Sequence, residues 1–249
     1  MVGLGHLPGG FRSLAFGVNA IGKVVIGEAF GASGPQQAFR WTAATGMVGL
    51  GFLPGGNKSF AYGVNADGEV VVGTSFANSR NQAYRWTAAS GMVGLGFFPG
   101  GNASGAGGVN ADGTVVVGGA TDASGVGQAF RWTAASGMVG LDNLPGGNNS
   151  SATGVNADGT VVVGGATGAS GPQQAFRWTA ATRMQSVMTL LLAAKVVTMS
   201  GWQLRSANGV SADGRMIVGD GVDPLGLLQG WIARLPEDNE DCKEDEFNG

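Results

Sequence analysis

The chain repeats itself every 45 to 46 residues, and this period limits the fold before any other feature does. Leu7-Pro8-Gly9-Gly10 returns as Pro-Gly-Gly after Leu53, Phe98 and Leu144. Gly-Val-Asn begins at Gly17, Gly63, Gly108 and Gly154, with the variant Gly-Val-Ser at Gly209. Gln-Ala-Phe/Tyr-Arg-Trp begins at Gln37, Gln82, Gln128 and Gln174. The second unit shows how each one reads. Residues 60–65 are strand-like and end at Ala66-Asp67-Gly68, where glycine supplies the positive φ of a hairpin turn. Val-rich residues 69–73 return, and a variable loop follows. Residues 82–87 form a third strand with Tyr84 and Trp86 on one face, and residues 92–96 form a fourth.

Four antiparallel strands per unit of this length make the blade of a propeller. The expected fold is therefore all-β, a five-bladed β-propeller of four-stranded antiparallel blades in one domain over residues 1–235. The units run about 1–46, 47–91, 92–137, 138–183 and 184–235. The 48 glycines fit tight turns between short strands. They lack the three-residue period of collagen, and a 43% hydrophobic content is unlike a disordered linker.

The last unit lacks a fourth strand, whereas Met1-Val2-Gly3-Leu4-Gly5 matches the fourth strand at Met47-Val48-Gly49-Leu50-Gly51. Residues 1–5 are thus expected to join the last blade and close the ring, which hides both open edges. The hairpin acid occurs at Asp67, Asp112, Asp158 and Asp213, with Ile21 in the first unit. The strand base occurs at Arg40, Arg85, Arg131 and Arg177, with Ile232 in the fifth. Pairing each arginine with the following unit's aspartate matches every charge: Arg40–Asp67, Arg85–Asp112, Arg131–Asp158 and Arg177–Asp213. The leftover pair, Ile232 and Ile21, meets only if blade five touches blade one. Residues 184–199 replace the usual linker. Leu190 to Val197 has helix-forming character, which predicts a short packed helix there.

Seven acids and one base crowd the last fourteen residues, so 236–249 is read as an acidic disordered tail. The remaining ten acids and thirteen bases are too balanced and dispersed for nucleic-acid binding. No apolar stretch reaches transmembrane length. Met1 opens directly into a repeat strand, so no signal peptide is read, which predicts a cytoplasmic protein or a chain without its native N-terminus. Cys242 has no partner for a disulfide, and His6 stands where other units carry Phe52, Phe97 and Asn143.

The repeat, with Gly-Val-Asn-Ala-Asp-Gly and Gln-Ala-Phe-Arg-Trp-Thr, resembles the HAF repeat of bacterial extracellular and cell-surface proteins. The resemblance covers nearly all of residues 1–235. The last unit, with Ser200-Gly201-Trp202, Val210-Ser211-Ala212-Asp213-Gly214 and Trp231-Ile232-Ala233, is similar to that family's terminal unit. It implies a secreted or surface protein, such as an autotransporter passenger, and brings no catalytic residues to carry over.

No catalytic residue, metal ligand or cofactor is expected. His6 alone makes no triad, and one aspartate per hairpin falls short of a calcium shell. One repeated polar set is left: Asn19, Asn65, Asn110, Asn156 and Ser211 at the end of each first strand, and Ser13, Ser59, Ser104 and Ser150, with Arg205, at its start. These residues either cap backbone groups or form a polar channel mouth for a ligand. The variable loops at 30–36, 76–81, 121–127, 167–173 and 220–228 are the other candidates. The function expected is a monomeric, non-enzymatic binding or structural module with an unidentified protein or glycan ligand. A multivalent lectin-like ring and a hydrolase or lyase with an axial site are the alternatives.

Overall fold

Alternating Val and Gly-rich segments, each ended by a turn glycine, fold as sequential antiparallel hairpins. A computed structural model describes residues 1–32, 34–169, 171–195 and 200–236. The first sheet holds β1 (Ser13–Val18), β2 (Val24–Phe30), β3 (Gln36–Thr42) and β4 (Gly46–Gly49). The second holds β5 (Gly56–Val64), β6 (Val71–Ala77), β7 (Arg80–Thr87) and β8 (Gly91–Gly94). The third holds β9 (Ser104–Val109), β10 (Val116–Thr121), β11 (Gly127–Thr133) and β12 (Gly137–Gly140). The fourth holds β13 (Ser150–Val155), β14 (Val162–Thr167), β15 (Gln173–Thr179) and β16 (Arg183–Ser186). After the helix α1 (Val187–Ala193), the last sheet has β17 (Gln203–Val210), β18 (Met216–Val222) and β19 (Leu228–Arg234).

Every sheet keeps its strands in chain order. Equivalent residues pair in each one: Val72 faces Arg85, Val117 faces Arg131 and Val163 faces Arg177. Both faces of each interior sheet pack on neighbours, which is why the second strands read as continuous Val runs. The third strands of the first four sheets each bury one fully enclosed ring, Phe39, Tyr84, Phe130 or Phe176, and that of the last sheet buries Trp231. The helix wedges Val187 and Leu191 into the apolar cluster of the last two units, beside Val163, Ala175, Leu204 and Ile217. The packed helix expected in the insertion is therefore present, although the stretch 196–199 lies outside the described residues. Residues 237–249, expected as a disordered tail, also lie outside them.

The expected closure is not observed. Residues 1–5 form no strand, Met1 and Val2 are exposed, and among the described residues the last sheet has three strands. The segment is held on the first unit by the contacts that interior linkers make. Leu7 is buried against Ala29 and Phe39, Leu4 packs beside it, and the Ser13 hydroxyl donates to the Gly5 carbonyl (2.8 Å). Among the described residues, packing runs from each sheet to the next and leaves the two end faces open. Ala15 is exposed where Ala61, Ala106, Ala152 and Ala207 are buried. At the other end Val218 is 43% exposed where Ile26, Val72, Val117 and Val163 are 0%.

Candidate functional site

The residues singled out by the sequence sit where one unit meets the next. Asn19, Asn65, Asn110 and Asn156 are buried at the ends of the first strands. Their Oδ1 atoms accept the backbone N–H of Val24, Val70, Val115 and Val161, each five residues on, at 2.8–2.9 Å. The amides of Asn19 and Asn65 donate onward to the carbonyls of Ala66 and Ala111 in the following units. In the last unit the Ser211 hydroxyl takes over, accepting the Met216 N–H at 2.9 Å. These side chains act as caps: they hold a hairpin whose backbone groups would otherwise go unpaired.

A backbone relay runs alongside. The N–H of Ala66 donates to the Ala111 carbonyl, that of Ala111 to Ala157, and that of Ala157 to Ala212, at 3.1–3.2 Å. Each hairpin glycine is pressed on the previous unit. A Cβ added to Gly159 would lie 2.6 Å from Val115 Cγ2, and φ there is +79°. Gly22, at the free end, meets nothing within 4 Å.

Arg40, Arg85 and Arg131 do reach the next unit's hairpin, but not its aspartate carboxylate. Nε of Arg40, Arg85 and Arg131 donates to the carbonyls of Gly68, Gly113 and Gly159 at 2.9–3.2 Å. Arg40 also pairs with Glu69 at 3.3 Å. The aspartates are spent within their own turns. Oδ1 of Asp67, Asp112, Asp158 and Asp213 accepts the N–H two residues on, from Glu69, Thr114, Thr160 and Arg215. The expected Arg40–Asp67, Arg85–Asp112 and Arg131–Asp158 ion pairs are therefore replaced by arginine–carbonyl bonds, because the hairpin needs the carboxylate. Hydroxyl bonds from Thr114 and Thr160 hold Asp112 and Asp158 below the usual carboxylate range, and the Ser211 hydroxyl does the same for Asp213.

A third link comes from the serines that start the first strands. The N–H groups of Ala38, Ala83 and Ala129 donate to the hydroxyls of Ser59, Ser104 and Ser150 in the following units, at 2.9–3.0 Å. Those hydroxyls donate in turn to the carbonyls of Gly51, Gly96 and Asp142. The serine repeats in the sequence, but its partner is in another unit and leaves no local signal.

Against this constant frame, two positions vary. The first-strand position is Leu14, Phe60, Gly105, Ser151 and Ser206. Its cross-strand partner is Glu28, Thr74, Gly119, Gly165 and Asp220. In the first two units the rings of Phe16 and Tyr62 stack at 5.9 Å, and those of Phe60 and Tyr62 at 6.2 Å. Around the third unit the same level is open, a cleft of 320 Å³ lined by Thr74, Asn81, Gly105, Gly119, Asn149 and Ser151 among others. A larger cleft of 730 Å³ lies between Arg131, Gly159 and Trp178. Among the described residues no group of three or more His, Cys, Asp or Glu is placed to hold a metal. No helix there is long and apolar enough to cross a membrane.

No protein-family model and no curated protein matches the chain. Solved structures do. TolB of Acinetobacter baumannii superposes with a TM-score of 0.59 at 14% identity, over 89% of this chain and 54% of that one. A putative TolB of Agrobacterium tumefaciens gives 0.58 at 13% identity, over 90% and 78%. The chain thus spans about half the length of the first of these. The likeness, with five successive antiparallel sheets, identifies the fold as a β-propeller.

Proposed function

We propose that this chain is a non-enzymatic binding or structural module of a secreted or surface-exposed bacterial protein, with five units closed into a ring through residues 1–5. One observation carries the reading. The bonds that join unit to unit are nearly constant, while residues that differ between units lie on the first two strands of each sheet and on cleft walls. A rigid frame presenting variable side chains is how repeat scaffolds bind. The hairpin carboxylates also fit a structural part. Asp112, Asp158 and Asp213 are held below the ordinary range by acceptor bonds, which suits capping and not proton transfer near neutral pH. The HAF-like repeat supports the surface setting.

The end faces support closure. They carry the two halves of the interface that joins the interior units: Ser13 and Gly22 on the first, Gly230 and Met216 on the last. By equivalence the Gly230 N–H would donate to Ser13, and Val2 would pair opposite Ile232, as Val48 does with Arg40.

Protease treatment of intact cells that make the protein tests the setting. Digestion without lysis is expected. Complete protection, with recovery in the cytosolic fraction, would contradict it.

A further inference from the structure

We propose that Asp67-Gly68, in the hairpin of unit two, is a modification site where the chain isomerises to isoaspartate, ahead of every other Asp-Gly pair in the described residues.

Five Asp-Gly pairs occur, at Asp67, Asp112, Asp158, Asp213 and Asp220. In such a pair the glycine nitrogen can attack the aspartate's own carboxyl carbon, because glycine has no side chain to crowd the approach. Four of the five carboxylates receive a side-chain hydroxyl. Thr114 donates to Asp112 and Thr160 to Asp158, each at 2.6 Å. Ser211 donates to Asp213, and Ser206 to Asp220. Among the described residues Asp67 receives none. The residue two on is Glu69, which gives only its backbone N–H, at 2.8 Å. The four hairpins are otherwise built alike. Asp67, Asp112, Asp158 and Asp213 are all exposed, and the N–H of the glycine after each donates to the carbonyl three residues back at 2.9–3.2 Å.

The hydroxyl bears on the chemistry in two ways. Ring closure expels water from the neutral carboxyl, and a hydroxyl donated to the carboxylate favours the ionised form instead. Those hydroxyls hold the carboxyls of Asp112, Asp158, Asp213 and Asp220 below the usual carboxylate range. The same bond also pins the side chain, so Cγ cannot swing toward the glycine nitrogen until it breaks. At Asp67 neither restraint operates. Gly68 N bonds to Asp67 Cγ, the Cγ–OH bond breaks, and the nitrogen's proton leaves with that hydroxyl as water. Water then adds at the Asp67 main-chain carbonyl of the cyclic imide, its hydroxyl to carbon and its proton to nitrogen. Mass and oxidation state are unchanged, and the main chain now runs through Cβ and Cγ. That hairpin carries the Gly68 carbonyl that accepts Arg40 Nε at 2.9 Å, so the lengthened backbone loosens the junction of the first two units.

The test is to age the full chain for weeks in neutral buffer at body temperature and to map its peptides with an aspartate-specific protease, which does not cut at isoaspartate. Isoaspartate at Asp67 is expected to exceed that at each of the other four by roughly tenfold, the scale of one hydrogen bond to a charged group. Glu69→Thr, which installs the hydroxyl of unit three, should bring Asp67 down to the level of Asp112. Thr114→Ala should raise Asp112 toward Asp67. Circular dichroism before ageing checks that both variants are folded. No isoaspartate at Asp67, equal levels at all five pairs, or an unchanged rate at Asp67 in a folded Glu69→Thr chain would overturn the proposal.

Discussion

The backbone N–H of Ala83 donates to the hydroxyl of Ser104 in the next unit at 3.0 Å, and that hydroxyl donates to the Gly96 carbonyl at 2.7 Å. One buried side chain thus satisfies the edges of two units. Ser104→Ala leaves both backbone groups without this partner, at a cost of about 1–3 kcal/mol. Urea unfolding is expected to show a lower midpoint with an unchanged slope.

Hairpin glycines test a second contact between units. Gly159→Ala combines a left-handed backbone with a Cβ 2.6 Å from Val115. The left-handed conformation alone costs a side chain roughly 1–2 kcal/mol. Thermal unfolding of this variant should show a larger loss than that figure, because Val115 must also move.

The hairpin aspartates set the response to acid. Asp112, Asp158 and Asp213 are depressed chiefly by hydroxyl bonds, so the folded chain holds their protons more weakly than the unfolded chain does. Their stabilisation is complete above the unfolded value of about 3.9 and is lost as pH falls through the lower folded values. Carboxyl chemical shifts followed against pH should place all three below ordinary aspartates. Ordinary titration of these groups would count against the caps.

The inserted helix anchors the last two units. Leu191 is 1% exposed in their shared cluster. Leu191→Ala should cost about 2–5 kcal/mol. Hydrogen exchange should rise first in β15, β16 and β17, the strands the helix touches.

Much of the fold could be read in the chain. The turn glycines and Val runs announced the hairpins, and the period announced the units. What misled was covariation. Ile21 and Ile232 replace the acid and the base in the end units, which suggested an ion pair between those positions. The arginine does reach that hairpin, but the short aspartate side chain bonds its own turn first, so the guanidinium takes the Gly68 carbonyl. The cleft was hidden for another reason. Gly105 and Gly119 are fourteen residues apart among 48 glycines, and only strand register shows that they face each other.

Closure of the five units is tested most directly by a disulfide between Val2→Cys and Ile232→Cys, with Cys242 replaced by serine. Directly opposite positions on paired strands lie about 4.5–5.5 Å apart at Cβ, near the reach of a disulfide. A closed ring predicts rapid intramolecular oxidation to a monomer that migrates faster on a non-reducing gel. Thiols that stay free, or cross-linked dimers in place of monomers, would contradict it.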